Sequence, residues 1–310
     1  MTLPRTGGAV LARRELRAAE TQPVMPPLVP PGANGGLTNV LRNRYLLRLL
    51  VRKELKARYQ GSVLGVLWSY VQPAVKFMSY YVVIGYVFGL THGMSNFPLH
   101  IFAGMALVHY FTETFSSGTR SIVRNRGLLI KLSLPRETFP VASMLVSAYH
   151  TSPQIVILLL GAVVTGWSPS PYDAAAGLLG VAIIAAFGMA LALLFSAANV
   201  YFRDFQNIVG IFMIFVTWSV PMIYPYDRIA SLLGGTGWEQ VYLANPIANA
   251  VLLFEQLFWV PTVPENAEFP VVMPDHLLTR GAVVLVASLI LLALAQRVFT
   301  RLEGGIVERL

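Results

Sequence analysis

The sequence predicts an all-α integral membrane protein, and three observations carry that prediction. Hydrophobic residues make up 55% of the 310 positions and charged residues only 12%, against roughly 45–50% and 25% in a soluble domain. Apolar runs of about 20 residues, the length that crosses a hydrocarbon core, recur six times. Basic residues gather on alternate connections between those runs, the pattern that orients a multi-pass protein with its Lys/Arg-rich loops in the cytosol. One membrane domain is expected, because no polar stretch beyond the first 36 residues is long enough to fold alone. The net charge of +8 sits at the ends of apolar spans, so it sets topology and is not the footprint of a nucleic-acid partner. Cysteine is absent, which excludes disulfides, thiolate metal sites and a Cys nucleophile.

Residues 1–36 carry Arg13, Arg14 and Arg17 and then QPVMPPLVPPGANGG. This stretch lacks apolar periodicity and is expected to be a disordered cytosolic tail. No apolar run follows its basic residues closely enough to form a cleavable signal peptide, so the first span is expected to be retained. Residues 37–60 predict an amphipathic helix lying in the inner membrane interface, with Arg44, Arg48, Arg52 and Lys56 on every fourth position and Leu46, Leu47 and Leu50 opposite. Six transmembrane helices follow, at about 63–90, 97–118, 139–165, 173–199, 206–224 and 278–298. THGMSNF and GWSPSPYD hold no Lys or Arg, whereas the connection after the second span holds Arg120, Arg124, Arg126, Lys131 and Arg136, and the one after the fourth holds Arg203. Arg297, Arg301 and Arg309 mark the C-terminal end, where 302–310 reads as a short tail. Both termini are therefore expected in the cytosol, and of the 23 basic residues only Lys76, Arg228 and Arg280 fall outside the tails and cytosolic connections. The connection 225–277 contains IANAVLLFEQLFWV, too short to span and interrupted by Glu255. It predicts a re-entrant helical pair before the last span, capping a pathway on the outer side; an amphipathic helix resting on the outer leaflet is the alternative.

The run Arg58-Tyr59-Gln60-Gly61-Ser62-Val63-Leu64-Gly65-Val66-Leu67-Trp68, with Gln72-Pro73 after it, resembles the entry to the first span of membrane subunits of ABC-2-type (type V) polysaccharide exporters. HYFTETFSSGTRSIVRNRGLLIKLSLPRETFPVA, from His109 to Ala142, is similar to that family's second span and coupling loop. YFRDFQNIVGIFMIFVTWSVPMIYP and Asn245-Pro246 resemble its fifth-span entry and outer-side element, in the same order. The resemblance covers about Leu37 to Arg301. It implies a homodimer in the bacterial inner membrane, bound to two copies of a separate cytosolic ABC ATPase that holds ATP and Mg. The cargo it implies is a lipid-linked glycan of the O-antigen, teichoic-acid or cell-wall galactan kind. The residues independently require an outside energy source: none of Lys53, Lys56, Lys76 and Lys131 follows a glycine, so the chain has no phosphate-binding G-x-x-x-x-G-K-[ST] loop. No cofactor of its own is expected.

The resemblance assigns ATPase coupling to the basic segment Asn125 to Arg136, which ends in Leu134-Pro135. Leu128, Leu129 and Ile130 would anchor in an apolar pocket while Arg126, Lys131 and Arg136 pair with an acidic rim; Pro135, Arg203 and Asp204 belong to the same assignment. A solvated positive loop is the plainer reading. Arg52, Lys53, Lys56, Arg58 and Tyr59 form a gate candidate, where Arg could bind the pyrophosphate of a lipid carrier bidentately, or an ordinary anchor to lipid headgroups. Lys76 lies mid-span, where a cation costs at least about 2.5–3.5 kcal/mol unless it faces water or a partner; it is expected at a polar pathway or another subunit, and the family does not usually place Lys there. Trp68, Tyr70, Phe77 and Tyr80, then Phe212, Phe215 and Trp218, are candidates to line a glycan channel by resemblance, or ordinary interfacial and lipid-facing aromatics. Gly85-x-x-x-Gly89 permits close helix packing. A membrane-embedded glycosyl- or acyltransferase is the competing class, yet His92, His100, His109, His150 and His276 show no ligand spacing, and no catalytic or metal residues are assigned.

Overall fold

A computed structural model describes residues 36–131, 134–264 and 266–309. Apart from Gly36, the expected N-terminal tail lies outside the described residues. What is described is helical and holds no strand. The interfacial segment forms two helices, α1 (Gly36–Arg42) and α2 (Arg44–Tyr59), separated at Asn43. The segment expected as the first span begins with a short 3-10 turn and continues as α3 (Trp68–Tyr80) into a π-helical stretch, Tyr81–Val87. Then come α4 (Phe97–Arg124), the short α5 (Arg126–Lys131), α6 (Thr138–Val164), α7 (Pro171–Tyr201) and α8 (Phe205–Ser219). The chain closes with α9 (Tyr226–Leu233), α10 (Gly237–Leu243), α11 (Pro246–Phe258) and α12 (Leu277–Arg309).

Among the described residues three helices, α6, α7 and α12, are long and apolar enough to cross a membrane, and α10 with α11 would do so together but for a 76° bend. Helix α4 has the length, 28 residues, but carries His100, His109, Glu113 and a run of hydroxyls, and most of its residues are buried. Helix α8 is 15 residues long, about 22 Å, short of the roughly 30 Å core. The chain leaves helix at Val220, so the expected span to 224 ends early. The last helix instead runs well past 298, and the segment expected as a separate tail continues it to Arg309.

Helix α7 lies at the centre, against α12, α4 and α11. Its small residues allow this: a Cβ at Gly180 would stand 2.7 Å from the Ala250 carbonyl oxygen, so only glycine lets α11 approach there. The helix starts at a capping box, with Ser170 and Asp173 bonded to each other and Pro171 in the first turn. Asp173 also accepts a 2.7 Å bond from Gln256, fixing the start of α7 to α11. Asn245 caps α11 by accepting from the Ile247 N–H at 3.0 Å, which sets the bend. Helix α11 is buried along most of its length within the chain. Gly85 is also spent inside the chain, since a Cβ there would meet the Phe97 ring at 2.8 Å and Thr91 at 2.9 Å.

Two apolar cores result. The larger joins α4, α7, α11 and the Val220–Ile223 segment. The smaller joins Val40, Leu47 and Leu50 to Ile122, Leu129, Phe139, Ala197 and Phe299, at the end of the molecule where the basic residues concentrate.

Candidate coupling and gate site

At the basic end, α2 lies against α6 with Leu47 and Leu50 in the smaller core. This leaves Arg44, Arg48, Arg52 and Lys56 exposed on the opposite side. The only acid on that helix, Glu54, points inward and is 9% exposed. Its carboxylate accepts from Arg124 at 2.5 Å and from the Asn125 amide at 2.9 Å. Asn125 is completed by Lys53, which donates to its side-chain oxygen at 2.5 Å. Two side chains, at the end of α4 and the start of the basic connection, are thus clamped to α2. A buried carboxylate needs such partners, because an uncompensated charge there costs several kcal/mol.

One turn further on, Arg58 pairs with Glu113 of α4 at 2.5 Å, and Ser117 donates to the same carboxylate at 3.2 Å. Glu113 is therefore paired with α2 and not with Lys76, whose ammonium lies 5.7 Å from the Tyr80 ring centre and pairs with no carboxylate among the described residues. The Tyr59 hydroxyl stands 2.5 Å from Ser69 Oγ and 2.8 Å from His150 Nδ1. Two cavities flank Arg58. One, of about 420 Å³, is lined by Lys53, Glu54, Glu113, Arg120 and Arg124; the other, of about 310 Å³, by Tyr59, Trp68, Gln72, His109 and His150.

The gate candidates thus divide into two groups. Arg52 and Lys56 are exposed and carry no ion pair among the described residues, whereas Lys53, Arg58 and Tyr59 are engaged within the chain. The coupling candidates divide as well. Arg126, Arg203 and Asp204 are exposed, with Leu128 and Pro135 partly covered. Leu129, expected as an anchor in a partner's pocket, is instead 7% exposed and belongs to the smaller core. Arg136, expected on a partner's rim, is buried: it donates to the Glu303 carbonyl oxygen and lies 3.6 Å from the Glu303 carboxylate. The fold thus covers the Leu129 side of the short α5, and Arg136, beyond that helix, ties the connection to α12. The side chains of Ile130 and Lys131 lie outside those described.

The aromatic candidates fall on two elements that one chain leaves uncovered. Helix α3 has no buried residue and α8 has only Val209 and Val216. Trp68, Tyr70, Phe212, Phe215 and Trp218 are exposed, while Phe77 and Tyr80 are partly covered, Phe77 packing edge-on against Phe102 at 5.2 Å. At the other end, His100 of α4 and Glu255 of α11 stand 3.2 Å apart, wholly buried, with the His100 ring 4.8 Å from Trp259. On α9, burial first and then the Glu239 carboxylate hold the Tyr226 phenol above its ordinary pKa, so it stays a donor, 2.5 Å from Glu239.

Sequence reading gave Glu54, Asn125 and His150 no role here and weighed Glu113 only as a partner for Lys76. Two signals were available: Glu54 is the lone acid among seven cations between Arg42 and Arg58, and SAYHTSPQ is a polar island in an otherwise apolar span.

The arrangement defines a class: a helical membrane protein whose cationic interfacial helix is fastened to a basic connecting loop. Residues 45–259 match the ABC-2 type transporter family, and the chain belongs to that family. It is 27% identical over 217 residues to the O-antigen export system permease protein RfbA of Klebsiella pneumoniae, covering 69% of this chain and 80% of that protein. To the protein of the same name from Myxococcus xanthus it is 27% identical over 222 residues, covering 72% of this chain and 83% of that protein.

Proposed function

We propose that the chain is the permease subunit of an ATP-driven exporter that carries a lipid-linked polysaccharide from the cytosolic to the outer side of the bacterial inner membrane. On this reading it has no ATPase of its own, works as a homodimer with two copies of a cytosolic ABC ATPase, crosses the membrane six times with both termini inside, and dips α10 and α11 back into the outer leaflet. The family and the O-antigen export permeases it resembles support the transport class and a polysaccharide cargo.

The observation that carries the mechanism is the Lys53–Asn125–Glu54–Arg124 clamp. A partner that closes on ATP and displaces the α5 region moves α2 with it, because the two are joined through groups that cannot separate without stranding a buried carboxylate. Movement of α2 changes access to the cavities beside Arg58, while Arg52 and Lys56 supply the exposed cations for a carrier pyrophosphate. ATP then biases two states only so far as the partner binds them differently. The exposed faces of α3 and α8 are where a second copy would pack, enclosing the aromatic candidates and Lys76 in a shared pathway.

Affinity purification from native membranes in mild detergent, with mass spectrometry of stoichiometric partners, tests the reading. A Walker-motif ATPase at one-to-one ratio and co-purifying lipid-linked glycan are expected. A lone subunit that turned over a lipid or sugar substrate would replace the exporter with an enzyme.

A further inference from the structure

A third cavity, of about 260 Å³, lies between α3, α4 and α6, walled by Ala74, Phe77, Phe102, Ile157 and Leu158. It meets the polar cavity below it at Pro73, which lines both. One wall residue of the apolar groove, Gln154, is a buried amide. Gln154 is 2% exposed, and neither end of its amide finds a hydrogen bond among the described residues. An unmatched amide against hydrocarbon costs several kcal/mol, so a saturated filling of this groove is unfavourable. One turn earlier on α6, and so about 6 Å away along the axis, His150 is in the same condition: Nδ1 is taken by Tyr59 and Ser69, while Nε2 is buried and unpartnered.

We propose that the two cavities together bind one glycerophospholipid of the inner leaflet. Its phosphate lies in the polar cavity, where Arg58 spends only one nitrogen on Glu113 and His150 Nε2 and Ser62 add donors. One chain lies in the groove, and Gln154 donates to the ester carbonyl. The spacing selects this class, since a phospholipid carries its first acceptor about one helical turn from the phosphate, on the chain side. A polyprenyl phosphate has no acceptor at that depth. The site shares its polar cavity with the access path proposed above, but it needs no glycan and no ATPase.

The test uses the full-length chain, delipidated in detergent and given phosphatidylglycerol with either ester-linked or ether-linked chains, bound lipid being counted by native mass spectrometry. The ester lipid is expected to be retained about tenfold better, the worth of one hydrogen bond of about 1.4 kcal/mol. Gln154→Leu abolishes that preference without emptying the groove, and Ala74→Trp, which fills it, lowers retention of both lipids at least tenfold. Equal retention of ester and ether lipids by the unmodified chain, or stronger retention of a polyprenyl phosphate than of either, overturns the proposal.

Discussion

At the residue scale the charged side chains that matter are those the fold turns inward. Glu54 holds Arg124 and Asn125. Its replacement by Ala is expected to destabilise the chain by about 1–3 kcal/mol, the cost of unpaired buried partners, with Arg124 discounted because its side chain is 48% exposed. Thermal unfolding in detergent, compared with Asn125→Ala and the double variant, checks it. The two losses should be strongly non-additive, and simple additivity would dissolve the clamp. Arg136 follows a different logic, being buried against Glu303. Arg136→Ala should lower stability by about 3 kcal/mol or more, whereas the more exposed Arg126→Ala should leave stability unchanged and weaken capture of the ATPase. If Arg136→Ala unfolds at the temperature of the unmodified chain, the tie to α12 is not real.

At the element scale, α7 and α11 are held together by missing side chains. Gly180→Val would drive two methyl groups toward the Ala250 carbonyl, and overpacking of this kind costs about 1–3 kcal/mol. A lower unfolding temperature, with α11 more open to proteolysis, is expected; unchanged unfolding would mean that α11 is not seated on α7. Much of this level was legible in sequence. The apolar runs located α6, α7 and α12, because length and hydropathy are local signals, whereas Asn245-Pro246, noted only as resembling the family's outer-side element, proves to cap α11 at the bend. The short α8 was not legible, since the apolar run continues through Val220–Ile223 after the helix has ended. Helix α4 was expected on hydropathy, and its charged groups make sense only once α2 is seen to pair with Glu113 and Arg124 and Glu255 of α11 to stand against His100.

At the scale of the whole molecule, the family was readable from four ordered motifs, but the internal clamp was not. Glu54 and Asn125 lie 71 positions apart, and no local pattern pairs them. The same limit hid the burial of Leu129 and Arg136, whose residue types suit a partner's cleft as well as they suit the chain's own interior. The uncovered faces of α3 and α8 lead to a prediction about assembly. Because the chain has no Cys, a single Phe215→Cys on α8 should give a disulfide-linked dimer under mild oxidation, and Leu178→Cys on α7 should stay monomeric; the reverse pattern would put the seam elsewhere. The central claim, that ATPase motion reaches the membrane gate through the clamp, is tested most directly in vesicles holding this chain with its co-purified ATPase, by measuring ATP hydrolysis and outward movement of lipid-linked glycan together. Glu54→Ala should keep hydrolysis within about twofold while export falls at least about tenfold, a loss of about 1.4 kcal/mol of coupling; export that continues unchanged, or falls only in step with hydrolysis, would contradict it.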